Sequence, residues 1–402
     1  MYKQFNITSD LFWVGELDPT LRVFDIIMET KFGTSYNSYV LKGSEGSAVF
    51  ETVKDKFFDD YLEKLKAVIS PETIHYIIVD HTEPDHAGSV AKLLAYAKDA
   101  TVVGSAQAIK FLSQIVNKPF KSQVVKDGDT LSLGNKTIRF ISAPFLHWPD
   151  TIYSYIEEDK VLITCDSFGA HYCDERVLKS SLPSEKDEEY LSAYKYYFDM
   201  IMGPFKPSVL TALEKIKNLE LSFICPGHGM VLDASNMQKY IGLYKEWATP
   251  HKRTVPSIVI AYVSAYGYTE MLAKQIKKGI ESASNNVDIL FYDLGNSDLS
   301  EVLSEISQCT GLLVGSPTIV GDTLPQIWQL LSSLNPIIHK GIKASCFGSY
   351  GWSGEAVKNM QQRLTQLRFP MPVEPLSVLF KPSDEELQKA FAFGADFASK
   401  VL

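Results

Sequence analysis

Between Asp80 and His86 the chain sets two imidazoles and three carboxylates within seven positions, Asp80-His81-Thr82-Glu83-Pro84-Asp85-His86. Crowded carboxylates repel one another and raise each other's pKa unless a cation sits among them. A solvated loop has no need of the alternation His-x-Glu-x-Asp-His, so this stretch is read as a metal site. Three more places each offer one ligand-type residue after an apolar run. Residues 140–146 lead to His147, 161–165 lead to Asp166, and 221–226 lead to His228 within Gly227-His228-Gly229. Taken singly, His147 beside Trp148 reads as a packed side chain and Asp166 as a turn former. A Pro-Gly-His-Gly turn needs no imidazole, which makes His228 harder to explain that way. The four places together supply ligands enough for two metal ions.

These residues need strands to carry them. Residues 74–79 are apolar, β-branched and too few for a helix, which predicts a buried strand ahead of the cluster. Residues 89–98 read as a helix with Ser89 placed to cap it. Earlier come short strands over 11–14, 36–41 and 47–53, with a hairpin-like turn at 42–46 and then a helix over about 55–69. A strand over 101–104 and a helix through Val116 repeat the β-then-α pattern, and hairpins follow from Lys126. After a helix over about 237–247, residues 248–256 form a polar stretch with two prolines, read as an interdomain linker. Beyond it, strands over 257–263, 287–292, 311–315 and 343–348 alternate with helices, one over about 269–283 and one from about 384. That alternation predicts a doubly wound parallel sheet.

A chain of 402 residues exceeds what one hydrophobic core usually supports, so two domains are expected, 1–250 and 251–402. The net charge of −9 and the lack of any basic run argue against nucleic-acid binding. The five cysteines are scattered and none forms a CxxC pair, which argues against a disulfide framework, a zinc ribbon and a cysteine-held iron site. No apolar run approaches the ~18–20 residues that span a bilayer. Met1-Tyr2-Lys3-Gln4 starts no signal peptide. A protein of the cytoplasm, away from membranes, is expected.

On these residues the first ~250 positions resemble the metallo-β-lactamase-like domain, an αββα sandwich with metal at its strand ends. Zinc hydrolases of that superfamily carry His-x-His-x-Asp-His, and Glu83 stands here in place of the second His. That change is similar to the flavodiiron (A-type flavoprotein) family. It is consistent with metal preference, since zinc favours imidazole-rich tetrahedra and a carboxylate-rich set suits non-haem iron. The resemblance implies that His81, Glu83 and His147 hold one iron, Asp85, His86 and His228 the other, and that Asp166 bridges them. His86 is the ligand most open to displacement by water. Asp80 is expected to orient the loop, and His171 to supply a hydrogen bond or proton from outside the ligand set. Many relatives carry a His and an aromatic residue where Asp25 and Ile26 stand, and often an asparagine in the Val320-Gly321 loop.

The C-terminal half supports the same family. Three loops at successive strand ends look like a flavin mononucleotide (FMN) site: Ser264-Ala265-Tyr266-Gly267-Tyr268-Thr269, Ser316-Pro317-Thr318-Ile319-Val320-Gly321, and Ser349-Tyr350-Gly351-Trp352-Ser353-Gly354. Backbone N–H groups with the Ser264 and Thr269 hydroxyls can hold a phosphate without Arg or Lys. Tyr350 or Trp352 offers an aromatic face to the ring. The family implication is an oxidoreductase reducing dioxygen to water, nitric oxide to nitrous oxide, or both. Two ferrous ions supply two electrons and a reduced flavin two more. With no CxxC pair after the flavodoxin-like part, electrons are expected from rubredoxin or another soluble donor. A head-to-tail homodimer, or a dimer of such dimers, is the implied assembly. The alternative is a zinc hydrolase fused to a flavodoxin domain, with Glu83 as the discriminating residue.

Overall fold

The computed structural model describes residues 5–250 and 253–402. Residues 1–4, where no leader was read, and positions 251–252 of the expected linker lie outside the described residues. The chain folds as two compact units, Met1–Pro250 and His251–Leu402.

In the first unit two sheets face each other. One has seven strands in chain order: Phe5–Asn6, Leu11–Trp13, Tyr39–Lys42, Ser47–Phe50, Tyr76–Ile78, Thr101–Gly104 and Ser122–Val124. Its first four strands pair antiparallel and the rest parallel. The other sheet has six, also in chain order, including Thr137–Ser142, Ile152–Ile156, Val161–Cys165 and Phe223–Pro226. Strand alternation sorts the side chains between two cores. Tyr39, Leu41, Phe50, Ile78 and Val103 meet Ile138, Phe140, Ile152, Val161 and Ile163 between the sheets. Their neighbours Val40, Val49, Ile77 and Val102 face outward to helix residues Tyr61, Leu65, Leu93 and Leu112. On the far side Tyr153, Tyr155, Leu162 and Ile224 lie under helices Asp187–Tyr197, Lys206–Ile216 and Met237–Ala248. The result is the expected αββα sandwich.

The loop after Tyr76–Ile78 differs from its sequence reading in one respect. Residues Pro84–Ala87 form a short helix with proline at its first position, where the missing N–H costs nothing. Ser89 already has helical backbone angles and makes no cap; its hydroxyl is buried without a partner. A cap needs extended angles to turn its oxygen back on the helix, and the preceding turn removes them.

In the second unit five parallel strands stand in the order Asp288–Asp293, Ser257–Tyr262, Gly311–Gly315, Lys343–Tyr350, Leu376–Leu379. The chain reverses its direction of winding after the second of its strands, so a crevice opens at the strand ends beside the first. Helices Tyr268–Ala283 and Asp384–Val401 cover one face through Leu272, Ile276, Phe397 and Val401. The other face is covered by Val302, Ile306, Ile327, Leu330, Met360 and Leu364. The two helices of the first face touch backbone to backbone: a Cβ on Gly394 would come within 2.1 Å of the Ile276 carbonyl oxygen. Gly394→Val should therefore force the pair apart and destabilise this unit by about 1–3 kcal/mol. Thermal unfolding followed by circular dichroism should drop by several degrees, on the order of 2–4 °C per kcal/mol for a unit of this size. Among the described residues no helix is long and apolar enough to cross a membrane.

Candidate functional site

All seven metal-ligand candidates converge at one end of the first unit's sandwich. One donor atom each from His81, Glu83, His147 and Asp166 lies within 4.8 Å of the others, and so do donors of Asp85, His86 and His228. Asp166 belongs to both groups by contact. Its Oδ2 is 3.4 Å from His81 Nε2 and 3.4 Å from His147 Nε2, while Oδ1 is 3.0 Å from His86 Nε2 and 3.6 Å from His228 Nε2. Glu83 Oε2 reaches His147 Nε2 at 2.8 Å, and Asp85 Oδ2 reaches His228 Nε2 at 3.0 Å. Five of the seven are almost wholly buried, and Glu83 and His147 remain partly exposed.

Buried charge on this scale demands compensation. Burial opposes protonation of His81, His86 and His147, yet the surrounding carboxylates push all three up to about 10. Against the same burial, the imidazoles hold Asp85 and Asp166 below the usual carboxylate range. Both Asp85 oxygens and Asp166 Oδ2 face imidazole nitrogens without an aligned hydrogen bond. Donor atoms that converge on common points, with three buried carboxylate oxygens left without a hydrogen bond, fit a site built for cations. A set of four imidazoles and three carboxylates fits non-haem iron better than zinc.

On His81 and His228 the ring nitrogen facing away from this centre is held by an outer partner, which fixes the tautomer of those two rings. His81 Nδ1 donates to Asp150 Oδ2 at 3.2 Å, and the same oxygen accepts the Thr82 N–H and hydroxyl at 2.8 Å each. His228 Nδ1 donates to the Ser35 carbonyl at 2.6 Å. Glu51 Oε1 accepts the backbone N–H groups of Asp80 and His81 at 2.7 and 3.1 Å. The Tyr197 hydroxyl donates to Asp166 Oδ1 at 2.9 Å. Asp80 plays a smaller part than expected: its Oδ1 accepts from Ser154, and Glu51 and Asp150 do most of the loop's anchoring.

Glu51, Asp150 and Tyr197 escaped the sequence reading. Glu51 had one available signal, a carboxylate closing the wholly buried strand Ser47–Phe50. Asp150 stood in the Trp148-Pro149-Asp150 stretch, and Tyr197 had no signal beyond its helix. His171 lies beside the centre as expected. Its ring centre lies 4.4 Å from that of Phe24, tilted, and 5.1 Å from that of His228, edge-on, and Nδ1 pairs with the Thr34 hydroxyl at 3.0 Å. Burial and the neighbouring His228 pull it down to about 3, so it is neutral. Asp25 and Ile26 form the tip of a hairpin, both at positive φ, with Ile26 exposed. Burial and a hydrogen bond to Glu83 push Asp25 up to about 6.

In the second unit the three predicted loops follow Ser257–Tyr262, Gly311–Gly315 and Lys343–Tyr350, which are adjacent in the sheet. Gly267, at φ +82°, turns the first loop into the N-terminus of the helix Tyr268–Ala283. Ser264 Oγ accepts the Glu270 N–H at 3.3 Å, leaving its own hydrogen free to donate. Thr269 and Ser349 hydroxyls meet across the loops at 2.9 Å. Tyr266 and Trp352 stand almost fully exposed, as does Val320. Neutral donors at a helix N-terminus with exposed aromatic rings nearby fit a phosphate joined to a flat ring system. Other predicted side chains also have partners within the fold. Ser316 accepts the Leu324 N–H, Thr318 accepts the Ala356 N–H, and Ser353 donates to Glu355.

Comparison with known proteins agrees with both halves. Residues 34–229 match the ODP family beta lactamase profile and residues 260–394 match the flavodoxin profile. Flavo-diiron protein FprA2 of Clostridium acetobutylicum is 41% identical over 403 residues, covering 98% of this chain and 99% of the relative. The anaerobic nitric oxide reductase flavorubredoxin of Salmonella arizonae is 33% identical, covering 98% and 81%. The solved structure of rubredoxin oxygen:oxidoreductase from Desulfovibrio gigas aligns with a TM-score of 0.69 at 28% identity, covering 99% of this chain and 98% of that one. By sequence and by fold, the chain belongs to the flavodiiron protein family.

Proposed function

We propose that this chain reduces dioxygen to water, nitric oxide to nitrous oxide, or both, at a non-haem diiron centre in residues 1–250 that is re-reduced by FMN in residues 251–402. His81, Glu83 and His147 would hold one iron and Asp85, His86 and His228 the other, with Asp166, which faces both groups, serving both. The observation that carries this reading is Asp166, one carboxylate oxygen of which faces each group of ligands. A relative bearing the name nitric oxide reductase and one bearing the name rubredoxin oxygen:oxidoreductase support the choice of gases. The hydrolase alternative loses ground on the same relatives and on Glu83.

When bound, the irons supply electrons and coordination positions for the gas, and the flavin replenishes the electrons. The chain's own residues do the positioning. Glu51 and Asp150 tie down the loop of residues 80–86, and the Tyr197 hydroxyl steadies Asp166. Phe24, Tyr36 and Tyr197 ring His228 within 6.0 Å, and Trp148 meets His81 in a T-shaped contact at 5.1 Å, which hold these two rings in place. His171, a neutral imidazole against His228, holds a hydrogen bond to Thr34 and supports that face of the site. For FMN, the 264–269 loop binds the phosphate, with the 316–321 and 349–354 loops flanking the ring. The chain works in the cytoplasm as a homodimer and takes electrons from rubredoxin or another soluble carrier.

The test is metal and flavin analysis of the purified protein, then gas consumption under a reduced donor with each gas in turn. The expected result is two irons and one FMN per chain and consumption of at least one gas. A zinc-loaded protein that hydrolyses esters and consumes neither gas would reverse the assignment.

A further inference from the structure

His86 is the one deeply buried imidazole of the centre whose outer nitrogen has no partner. Its Nε2 faces Asp166 Oδ1 at 3.0 Å and Asp85 Oδ1 at 3.5 Å, so Nε2 is the atom turned to the metal side. Nδ1 is buried and makes no hydrogen bond. His81 and His228 each spend that same atom on a fixed acceptor, Asp150 and the Ser35 carbonyl. Behind His86 stands Glu51, whose Oε2 is equally buried and equally unpartnered while Oε1 holds two backbone N–H groups. A ring nitrogen of His86, a carboxylate oxygen of Glu51 and the Cys165 sulfur lie within 4.8 Å of one another.

We infer that Glu51 is the positioning residue for His86, accepting its Nδ1–H so that Nε2 is presented to iron. The inference rests on the reading of His86 as a ligand and supplies what that reading lacks. An imidazole that binds metal through Nε2 must carry its hydrogen on Nδ1, and a buried N–H left unpaired costs about 1–3 kcal/mol. Of the two neighbours grouped with His86, Glu51 is the strong acceptor, since a thiol such as Cys165 accepts only weakly. The two unsatisfied atoms answer each other. On this inference the bond forms directly after a side-chain rotation or through one buried water. Glu51 thereby couples two tasks, since one oxygen fixes the backbone at Asp80 and His81 while the other orients a ligand of the second iron. Glutamine cannot do both. Whichever way its amide is turned, an NH₂ group faces either the two backbone N–H donors or the His86 N–H.

The test compares Glu51→Gln with the unaltered full chain after anaerobic loading with ferrous iron, followed by timed dialysis against a chelator. Iron per chain, ⁵⁷Fe Mössbauer spectra and FMN content are read out. Glu51→Gln should hold the second iron about 10–100-fold more weakly, the usual effect of losing an outer partner, with the first iron and FMN retained. Cys165→Ser should hold both irons as the unaltered chain does. Two tightly held irons in Glu51→Gln would overturn the role of Glu51 and leave the diiron reading standing. An unaltered chain that takes up no iron would instead overturn the diiron reading itself.

A second measurement does not depend on any Glu51 variant folding. In the cobalt(II)-loaded unaltered chain, the His86 ring N–H should appear as a hyperfine-shifted proton in slow exchange with water, assigned by its loss in His86→Asn. A His86 proton that exchanges as fast as an exposed imidazole's would overturn the inference.

Discussion

Asp166→Asn should leave a folded, flavin-bearing chain that keeps neither iron firmly and consumes neither gas above background. The substitution preserves shape, and the Tyr197 hydroxyl can still donate to the amide oxygen where it now meets Oδ1 at 2.9 Å. What it removes is the negative charge and the second acceptor. An NH₂ group at the Oδ2 position would face His81 Nε2 and His147 Nε2, which lie 3.4 Å from that atom and must offer lone pairs to a metal. On the proposed role of Asp166 as a ligand of both ions, its loss should exceed the loss of an outer partner, so affinity should fall by on the order of 100-fold or more. Iron by elemental analysis and FMN by absorbance of the released flavin measure the two halves separately. A variant that retained both irons, with the magnetic coupling of a bridged pair, would mean that Asp166 is not the bridge.

The strand ends were readable because buried β-structure leaves a plain mark. Tyr76–Ile78, Val161–Cys165 and Phe223–Pro226 are apolar runs, and the polar residue that ends each run stands out against it. The same holds for Ser257–Tyr262 and Gly311–Gly315, every residue of which is buried. Residues that act across the fold leave no such mark. Glu51 lies 29 positions before the Asp80 N–H that it binds, and Asp150 lies 69 positions after His81. Tyr197 looks like one more core aromatic in a helix that also buries Tyr190 and Tyr194. Only the helix placement, with a π-helical turn over Phe198–Met202 just after it, shows Tyr197 aimed at Asp166. Ser89 failed for a local reason, since the helical turn Pro84–Ala87 had already set its backbone. In the loops read as flavin-binding, the placement at adjacent strand ends was legible, but the partners of single side chains were not, since the Ser316 and Thr318 hydroxyls accept N–H groups of their own fold.

Glu83→His tests metal choice directly, because it converts this loop to the His-x-His-x-Asp-His pattern of zinc hydrolases. Glu83 Oε2 lies 2.8 Å from His147 Nε2 and 3.4 Å from His81 Nε2, so its carboxylate is the anionic member of the first group apart from Asp166. An imidazole in its place would leave three neutral nitrogens and one shared carboxylate, a set that zinc accepts readily and iron holds less well. It would also end the contact between the Glu83 and Asp25 carboxyls, which together with burial keeps Asp25 high. Iron in the first position should fall at least about tenfold, the lower bound for disturbing a metal's surroundings, with zinc taking its place when both are supplied. Gas consumption should fall with the iron. FMN content should not change, because every predicted flavin contact lies in residues 264–354, within the second compact unit. Parallel loss of iron and FMN would show that the two units do not load independently, and unchanged iron with full gas consumption would remove Glu83 from the ligand set.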